Sequence, residues 1–469
     1  MKTIQLCEKV LSLTILLTLA TINHAQEPGS LFTVNSTADS NDASPGDYIC
    51  ADAANRCTLR AAVEESNVSS LRNAIVFDLP HPIVIDLALG ELSVLKILDI
   101  VGPGARRLTI QRSMVAGTPN FRVFHVPNGR NILNMRGLTI RNGNAAGASG
   151  GGLLAGTESI VNLTDVAITG NHANAGGGIA AFGIMTVLRT LINSNVATDN
   201  GGALLNANGA FLTTITNSTI TGNSANTSGA IDNNANLVLI NNTISRNSAT
   251  IAPSSIRSGF GGTVKVLNTI LGRDASHPVA LIEGAFQSAG NNIVTDSRGS
   301  SGFVNGINSD RVSENNLIDP LLGLLADNGG QTDTLALRSG SPAIDNGNNC
   351  AATGFCPQLP GMFIRGRTDQ RRYPRLILFD FELDIGAYEA GVPMVTGTAP
   401  IPVQVPGSTG RFTGSIAILT NATTLEKQIK VILPLNNTIF SGLSTADSYV
   451  IEIRAKRRGV SSPLVIAFD

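Results

Sequence analysis

Short apolar runs separated by turn residues fill the chain between residues 73 and 300. Ile75-Val76-Phe77, Ile83-Val84-Ile85, Leu108-Thr109-Ile110 and Phe121-Arg122-Val123-Phe124 are rich in β-branched and aromatic residues. Runs this short are strands rather than helices. Within this text the phrase Ile-x-x-Asn recurs at Ile168–Asn171, Ile192–Asn195, Ile220–Asn223 and Ile244–Asn247, at steps of 24, 28 and 24 residues. Degenerate copies begin at Ile140 and at Ile270, where Arg273 takes the Asn place. Glycine clusters accompany the phrase: Gly150-Gly151-Gly152, Gly176-Gly177-Gly178, Gly201-Gly202 and the reduced Ser228-Gly229. A period in the twenties marks one supersecondary unit stacked on itself. Three strands and three turns fit such a repeat, so the chain is expected to be all-β, a right-handed parallel β-helix (solenoid). Each coil would add about 4.8 Å along the axis, and eight or nine coils would make a rod of about 40 Å.

The Ile of each phrase belongs to the inner stack. Asn171, Asn195, Asn223 and Asn247 fall where a strand turns, and an amide offers both donor and acceptor. They are read as a structural Asn ladder running from coil to coil, in preference to a polar row that binds ligand. The glycines supply turns with positive φ. They lack the GxxxxGK[ST] pattern of a phosphate loop.

The flanks differ. Residues 31–72 form a first unit with a strand at Leu31–Val34, an Asp-rich loop and a helix over Thr58–Asn67. Leu59, Ala62 and Val63 lie on one face of that helix, which suits a cap over the open end of the stack. Repeats occupy 73–314. Residues 315–391 are more loop-like and are expected to close the other end. A Pro-rich linker spans 392–409, and 410–469 reads as a small C-terminal β domain. Its strands are expected at Ser415–Leu419, Gln428–Leu433, Tyr449–Arg454 and Leu464–Phe468, with Arg454, Lys456, Arg457 and Arg458 on a charged edge. Residues 1–25 read as a signal peptide, with Lys2 and Lys9 around the start and an apolar run from Val10 to Ala20. No transmembrane helix is expected beyond it. Its removal takes Cys7 away and leaves two close pairs, Cys50 with Cys57 and Cys350 with Cys356. In an oxidising compartment each pair closes a small disulfide loop.

Charged residues make up 14% of the chain and the formal net charge is -1, which argues against nucleic acid as a partner. Inverting hydrolysis on a β-helix would need paired carboxylates. Between residues 138 and 275 the acids are Glu158, Asp165, Asp199, Asp232 and Asp274, and their offsets from the repeat differ. Arg246 and Lys265 are candidates for a lyase base or neutraliser, but read as solvated surface charge. No catalytic residue is assigned. Asp39, Asp42, Asp47 and Asp52 crowd one loop and are weak calcium candidates, because hard oxygen ligands suit that ion. Asx turns in a loop closed by Cys50 and Cys57 explain the same residues and are preferred. Asp327, Asp345, Asp369 and Asp384 form a second, later set. The five His residues are scattered, so no His metal cluster is expected.

Two segments carry a resemblance. Phe32–Asn67 resembles the CSLREP domain, whose namesake motif here reads Cys57-Thr58-Leu59-Arg60-Ala61. Asp319–Asn348, Thr368–Arg375 and Asp384–Glu389 resemble the choice-of-anchor Q domain. There the usual DQRG reads Asp369-Gln370-Arg371-Arg372. The resemblance implies a secreted or surface-exposed bacterial β-helix protein in which 410–469 would be a sorting tail. The function expected is a non-catalytic, adhesin-like scaffold for an unknown extracellular ligand, a polysaccharide or a cell surface. The alternative is a polysaccharide lyase or glycoside hydrolase.

Overall fold

The computed structural model describes residues 29–390, except 70, 260, 273–279, 315–317, 363, 365 and 376–382, together with strands between 401 and 464. The chain is a parallel β-helix of about eight turns. A central coil holds four strands rather than the three expected. Ile160–Thr164 lies in what we term sheet 1, Ala167–Thr169 in sheet 2, His172–Ala175 in sheet 3 and Ile179–Ala181 in sheet 4. The chain then re-enters sheet 1 at Ile184. Among the described residues sheet 3 has five strands and sheet 2 has ten, while sheets 1 and 4 are joined into one set of 18 by the long strand Ile282–Gly290. Sheet 3 escaped the sequence reading because its strands are built from Ala, Asn and Ser and carry no apolar run.

Register explains the core. Ile140, Ile168, Ile192, Ile220 and Ile244 pair directly from coil to coil in sheet 2 and are fully buried. In sheet 1, Leu133, Val161 and Met185, and likewise Met135, Leu163, Val187 and Ile215, stack on the inner side. Each buried aliphatic side chain contributes about 1.5–3 kcal/mol relative to exposure. The glycine clusters serve two ends. Gly176 has φ +60°, and a Cβ on Gly177 would lie 2.5 Å from the Val196 carbonyl of the next coil. The first glycine makes the turn and the second permits the coils to approach.

The N-terminal unit caps the stack. Leu31–Val34 is the first rung, paired in parallel with Asn73–Phe77. The helix spans Leu59–Val68, and the Thr58 hydroxyl accepts from the Ala61 N–H at 3.1 Å as its N-cap. Leu59, Ala62 and Val63 enter the main core. Cys50 and Cys57 are disulfide-bonded, as are Cys350 and Cys356.

The described residues between 318 and 390 do not close the far end. They run as a strap along the side of the solenoid, from Arg106, which pairs with Asp333, to Asn291, which donates to the Asn346 carbonyl. The physical reason is a change on the outer face of sheet 1. There Val238, Ile240 and Leu267 turn apolar and are buried against Ala351, Ala352, Cys356, Leu359, Ile364 and Leu383 of the strap. An outer face with those residues needs a cover, and the strap supplies it.

In the C-terminal region Lys427–Ile432, Phe412–Asn421, Tyr449–Arg457 and Val460–Leu464 form a four-stranded antiparallel sheet in that order. Arg454, Lys456 and Arg457 therefore lie in an inner strand, because Val460–Leu464 covers its far side. The edge reading is corrected accordingly. Arg458, the stretch 465–468, the signal peptide expected at 1–25 and Arg273 lie outside the described residues. Among the described residues no helix is long and apolar enough to cross a membrane.

Candidate functional site

The Asn side chains are taken up by the architecture. Asn195 Oδ1 accepts from the Asn171 N–H at 3.0 Å and from Asn171 Nδ2 at 2.9 Å. Asn223 Oδ1 and Asn247 Oδ1 repeat both bonds one coil on. The ladder starts at the Gly143 N–H, which donates to Asn171 Oδ1. All four Asn are buried within the wall of the solenoid.

A second ladder, unforeseen from sequence, follows the turn between sheets 1 and 2. The Thr190 N–H donates to Ser218 Oγ, Ser218 N–H to Asn242 Oδ1, Thr269 N–H to Asn292 Oδ1, and Asn292 N–H to Asp310 Oδ1, each at 3.0 Å. Its signal was present as Asn-Ser-Thr-Ile at 217–220 and Asn-Asn-Thr-Ile at 241–244. The preceding residues Asp165, Arg189, Asn217, Asn241, Asn268 and Asn291 all have φ between 48° and 55°. Asn and Asp tolerate that region best, which accounts for most of the column.

A groove of about 860 Å³ lies open to solvent on the outer face of sheet 1, and a shallower one of about 560 Å³ lies on sheet 3 along Thr198 and Asn226. Asp99, Asn134, Asn162, Thr186 and Thr214 form one floor column from successive coils, in direct register. Val101, Arg136, Thr164, Leu188 and Thr216 form the next. Pro360, Gly361 and Met362 of the strap stand as the end wall. The groove ends where the floor becomes Val238 and Ile240 and disappears under the strap. Beyond the wall a smaller cleft of about 210 Å³ holds Phe211, Asn236 and Lys265 and shares Leu212, Pro360 and Met362 with the groove. Among the described residues, the one carboxylate lining the groove on sheet 1 is Asp99. It pairs with Arg72 at 2.8 Å and accepts from Asn134 Nδ2 at 2.6 Å, and Asn134 Oδ1 in turn accepts from Asn162 Nδ2 at 2.7 Å.

The strap is fastened by a buried ionic knot drawn from its own motifs. Arg371 is fully buried, pairs with Asp369 at 2.7 Å, and lies 3.6 Å from the Tyr388 ring centroid and 4.2 Å from that of Tyr373. Arg375 pairs with Glu389 at 2.7 Å. Burial raises the Glu389 carboxyl to about 8, against the pull of Arg375, and raises Asp384 to about 6. Three carboxylates (Asp369, Asp384 and Glu389) face two guanidinium groups, so one proton neutralises the cluster. The knot docks through Gln370, which accepts from Thr219 Oγ1 at 2.6 Å, and through Arg372, which pairs with Asp165 at 2.8 Å. Burial pushes the Asp165 carboxyl up, but Arg189 and Arg372 outweigh it and hold the group below the usual range. Arg372 has φ +71°, the conformation a Gly adopts freely. Of the later acidic set, Asp369 and Asp384 belong to this knot. Asp384 Oδ1 accepts from the Asp345 N–H, and Asp327 pairs instead with Arg106.

The remaining candidates separate. Asp39 pairs with Arg60, and Asp52 with Arg56 and Ser40. Asp42 and Asp47 come together with Glu65, which the sequence reading did not include, all within 4.8 Å. Backbone N–H groups occupy these oxygens: Ser44 and Ala51 on Asp42, Ile49 on Asp47, Gly46 and Tyr48 on Glu65. Asp165, Asp199 and Asp232 lie on different turns and sheets, as their offsets implied; Asp232 is buried and pairs with Arg257. Arg246 donates to the Leu322 carbonyl under the strap, away from Lys265.

Comparison with protein-family models, curated proteins and solved structures returns no match for this chain.

Proposed function

We propose that this chain is a secreted or surface-exposed, non-catalytic β-helix scaffold that holds an extended extracellular polymer, a polysaccharide or cell-surface strand, in the groove on sheet 1. One observation carries the reading. The groove repeats amide and hydroxyl side chains coil after coil, and its one carboxylate is already engaged by Arg72 and Asn134. A glycosidase needs two acidic groups facing one bond. A row of evenly spaced donors and acceptors instead suits a repeating ligand. Two disulfides support an oxidising compartment. In this reading 32–67 is a CSLREP-type cap, the strap is the Q-type segment, and the sheet of 412–464 is the sorting tail.

The test is incubation with a panel of extracellular polysaccharides, scoring retention by affinity electrophoresis and products as new reducing ends or unsaturated sugars. Retention without products is expected. Enzymatic turnover would replace the scaffold with a lyase or hydrolase, and absence of retention on every polymer would remove the groove reading.

A further inference from the structure

We propose that the groove selects an acidic glycan, one bearing uronate carboxylates, laid along the solenoid axis. This rests on the groove being a polymer-binding site. Its floor column of Asp99, Asn134, Asn162, Thr186 and Thr214 gives one polar side chain per coil, so five coils present a row about 20 Å long. That step is close to the length of one hexose in an extended chain. Asp99 is acceptor-only when ionised, so Asn134 must turn its Nδ2 toward it, and Asn162 must turn its Nδ2 toward Asn134 Oδ1. The amides are thereby fixed, and each keeps a second N–H. With the Thr186 and Thr214 hydroxyls, the row is rich in donors.

Charge then chooses between glycans. Asp99 is neutralised by Arg72. Arg136 on the groove floor and Lys265 in the adjoining cleft have no ion pair among the described residues, and they lie five rungs apart, about 24 Å. Two such cations, Arg136 beside Asn134 and Lys265 two rungs past Thr214, favour a ligand that carries carboxylates. Phe211, 71% exposed at the cleft beside Lys265, offers an apolar face to a sugar ring. A peptide strand is a poorer match, because the floor presents side chains from inner rungs and no free sheet edge for main-chain pairing.

The experiment measures binding of oligogalacturonate and of a neutral β-glucan oligomer of equal length, at low and high salt. It uses the full chain, its Arg136→Gln/Lys265→Gln variant and its Thr186→Ala/Thr214→Ala variant. The acidic oligomer is expected to bind on the order of tenfold tighter, with an advantage lost at high salt. The charge variant should lose that advantage, weakening the acidic oligomer more than the neutral one, while the Thr variant weakens both. Equal affinities that the charge variant does not alter would overturn the acidic class, yet leave the groove standing if the Thr variant still weakens both. Binding of neither oligomer, or binding that the Thr variant leaves untouched, would overturn the groove reading as well.

Discussion

Asn195→Ala tests whether the recurring Asn is architecture. Asn195 is fully buried and makes four side-chain hydrogen bonds: two accepted from Asn171, and one each donated to the Ile168 carbonyl and to Asn223 Oδ1, both at 2.9 Å. Truncation does not strand every partner. Asn171 Nδ2 keeps the Ile140 and Thr169 carbonyls, and Asn223 Oδ1 keeps the Asn195 N–H. The Asn171 N–H, however, loses its acceptor inside the wall, at a cost of about 1–3 kcal/mol, and each other lost bond adds about 0.5–1.5 kcal/mol. A total of about 2–5 kcal/mol follows, allowing for non-additivity between touching groups. Asn174→Ala is the control: its side chain is exposed and accepts only from Thr198 Oγ1, so about 0.5 kcal/mol or less is expected. Asn195→Asp should cost at least as much as Ala, since a carboxylate would face two acceptors. Urea unfolding followed by far-UV circular dichroism gives the totals. Hydrogen exchange at the Asn171 and Gly143 amides gives the local effect, which matters because a solenoid can open coil by coil. If Asn195→Ala and Asn174→Ala were equally mild, the ladder would not be holding the coils.

Three further outcomes follow from the strap and the cap. Glu389 has its folded pKa raised to about 8 by burial, so its contribution is present below its ordinary value of 4.5 and is lost as pH rises through about 8. Strap docking, read by limited proteolysis or melting temperature, should therefore weaken by on the order of 1–3 kcal/mol between pH 6 and 9, and Glu389→Gln should flatten the slope. Arg372→Ala removes one of the two partners of buried Asp165 and should cost about 1–3 kcal/mol, with cleavage appearing first in the strap; wild-type resistance would mean that this pair does not fasten it. Calcium chelation should leave the melting temperature unchanged, because backbone N–H groups already engage Asp42, Asp47 and Glu65; a fall on chelation would make that cluster a cation site.

The repeating part of the fold was legible because Ile and Asn sit at one fixed place in four successive coils, and parallel register converts that periodicity into stacked rows. The cap was legible for a related reason, since Thr58, Leu59, Ala62 and Val63 carry both an N-cap and an apolar face. Sheet 3 was hidden because Ala173, Ala197 and Ala225 bury without an apolar run. The course of the strap was hidden because docking depends on distant residues finding one another: Gln370 meets Thr219 and Arg372 meets Asp165, with 151 and 207 positions between them in sequence. The groove had a faint signal in the alternation of Asn134, Asn162, Thr186 and Thr214 with apolar neighbours. Its boundary was written in Asn236-Leu237-Val238-Leu239-Ile240, apolar on both faces of the strand and thus covered on both. Asp369, Arg371 and Glu389 were visible as motifs, while their role as a knot required three dimensions.

The most direct test of the account is a crystal structure of the protein soaked with an oligouronate. Density for the sugar chain is predicted along Asn134, Asn162, Thr186 and Thr214 and past Pro360–Met362 toward Phe211 and Lys265, with the glycosidic bonds intact. Sugar bound elsewhere, such as on sheet 3 beside Thr198 and Asn226, or a cleaved chain in the groove, would contradict it.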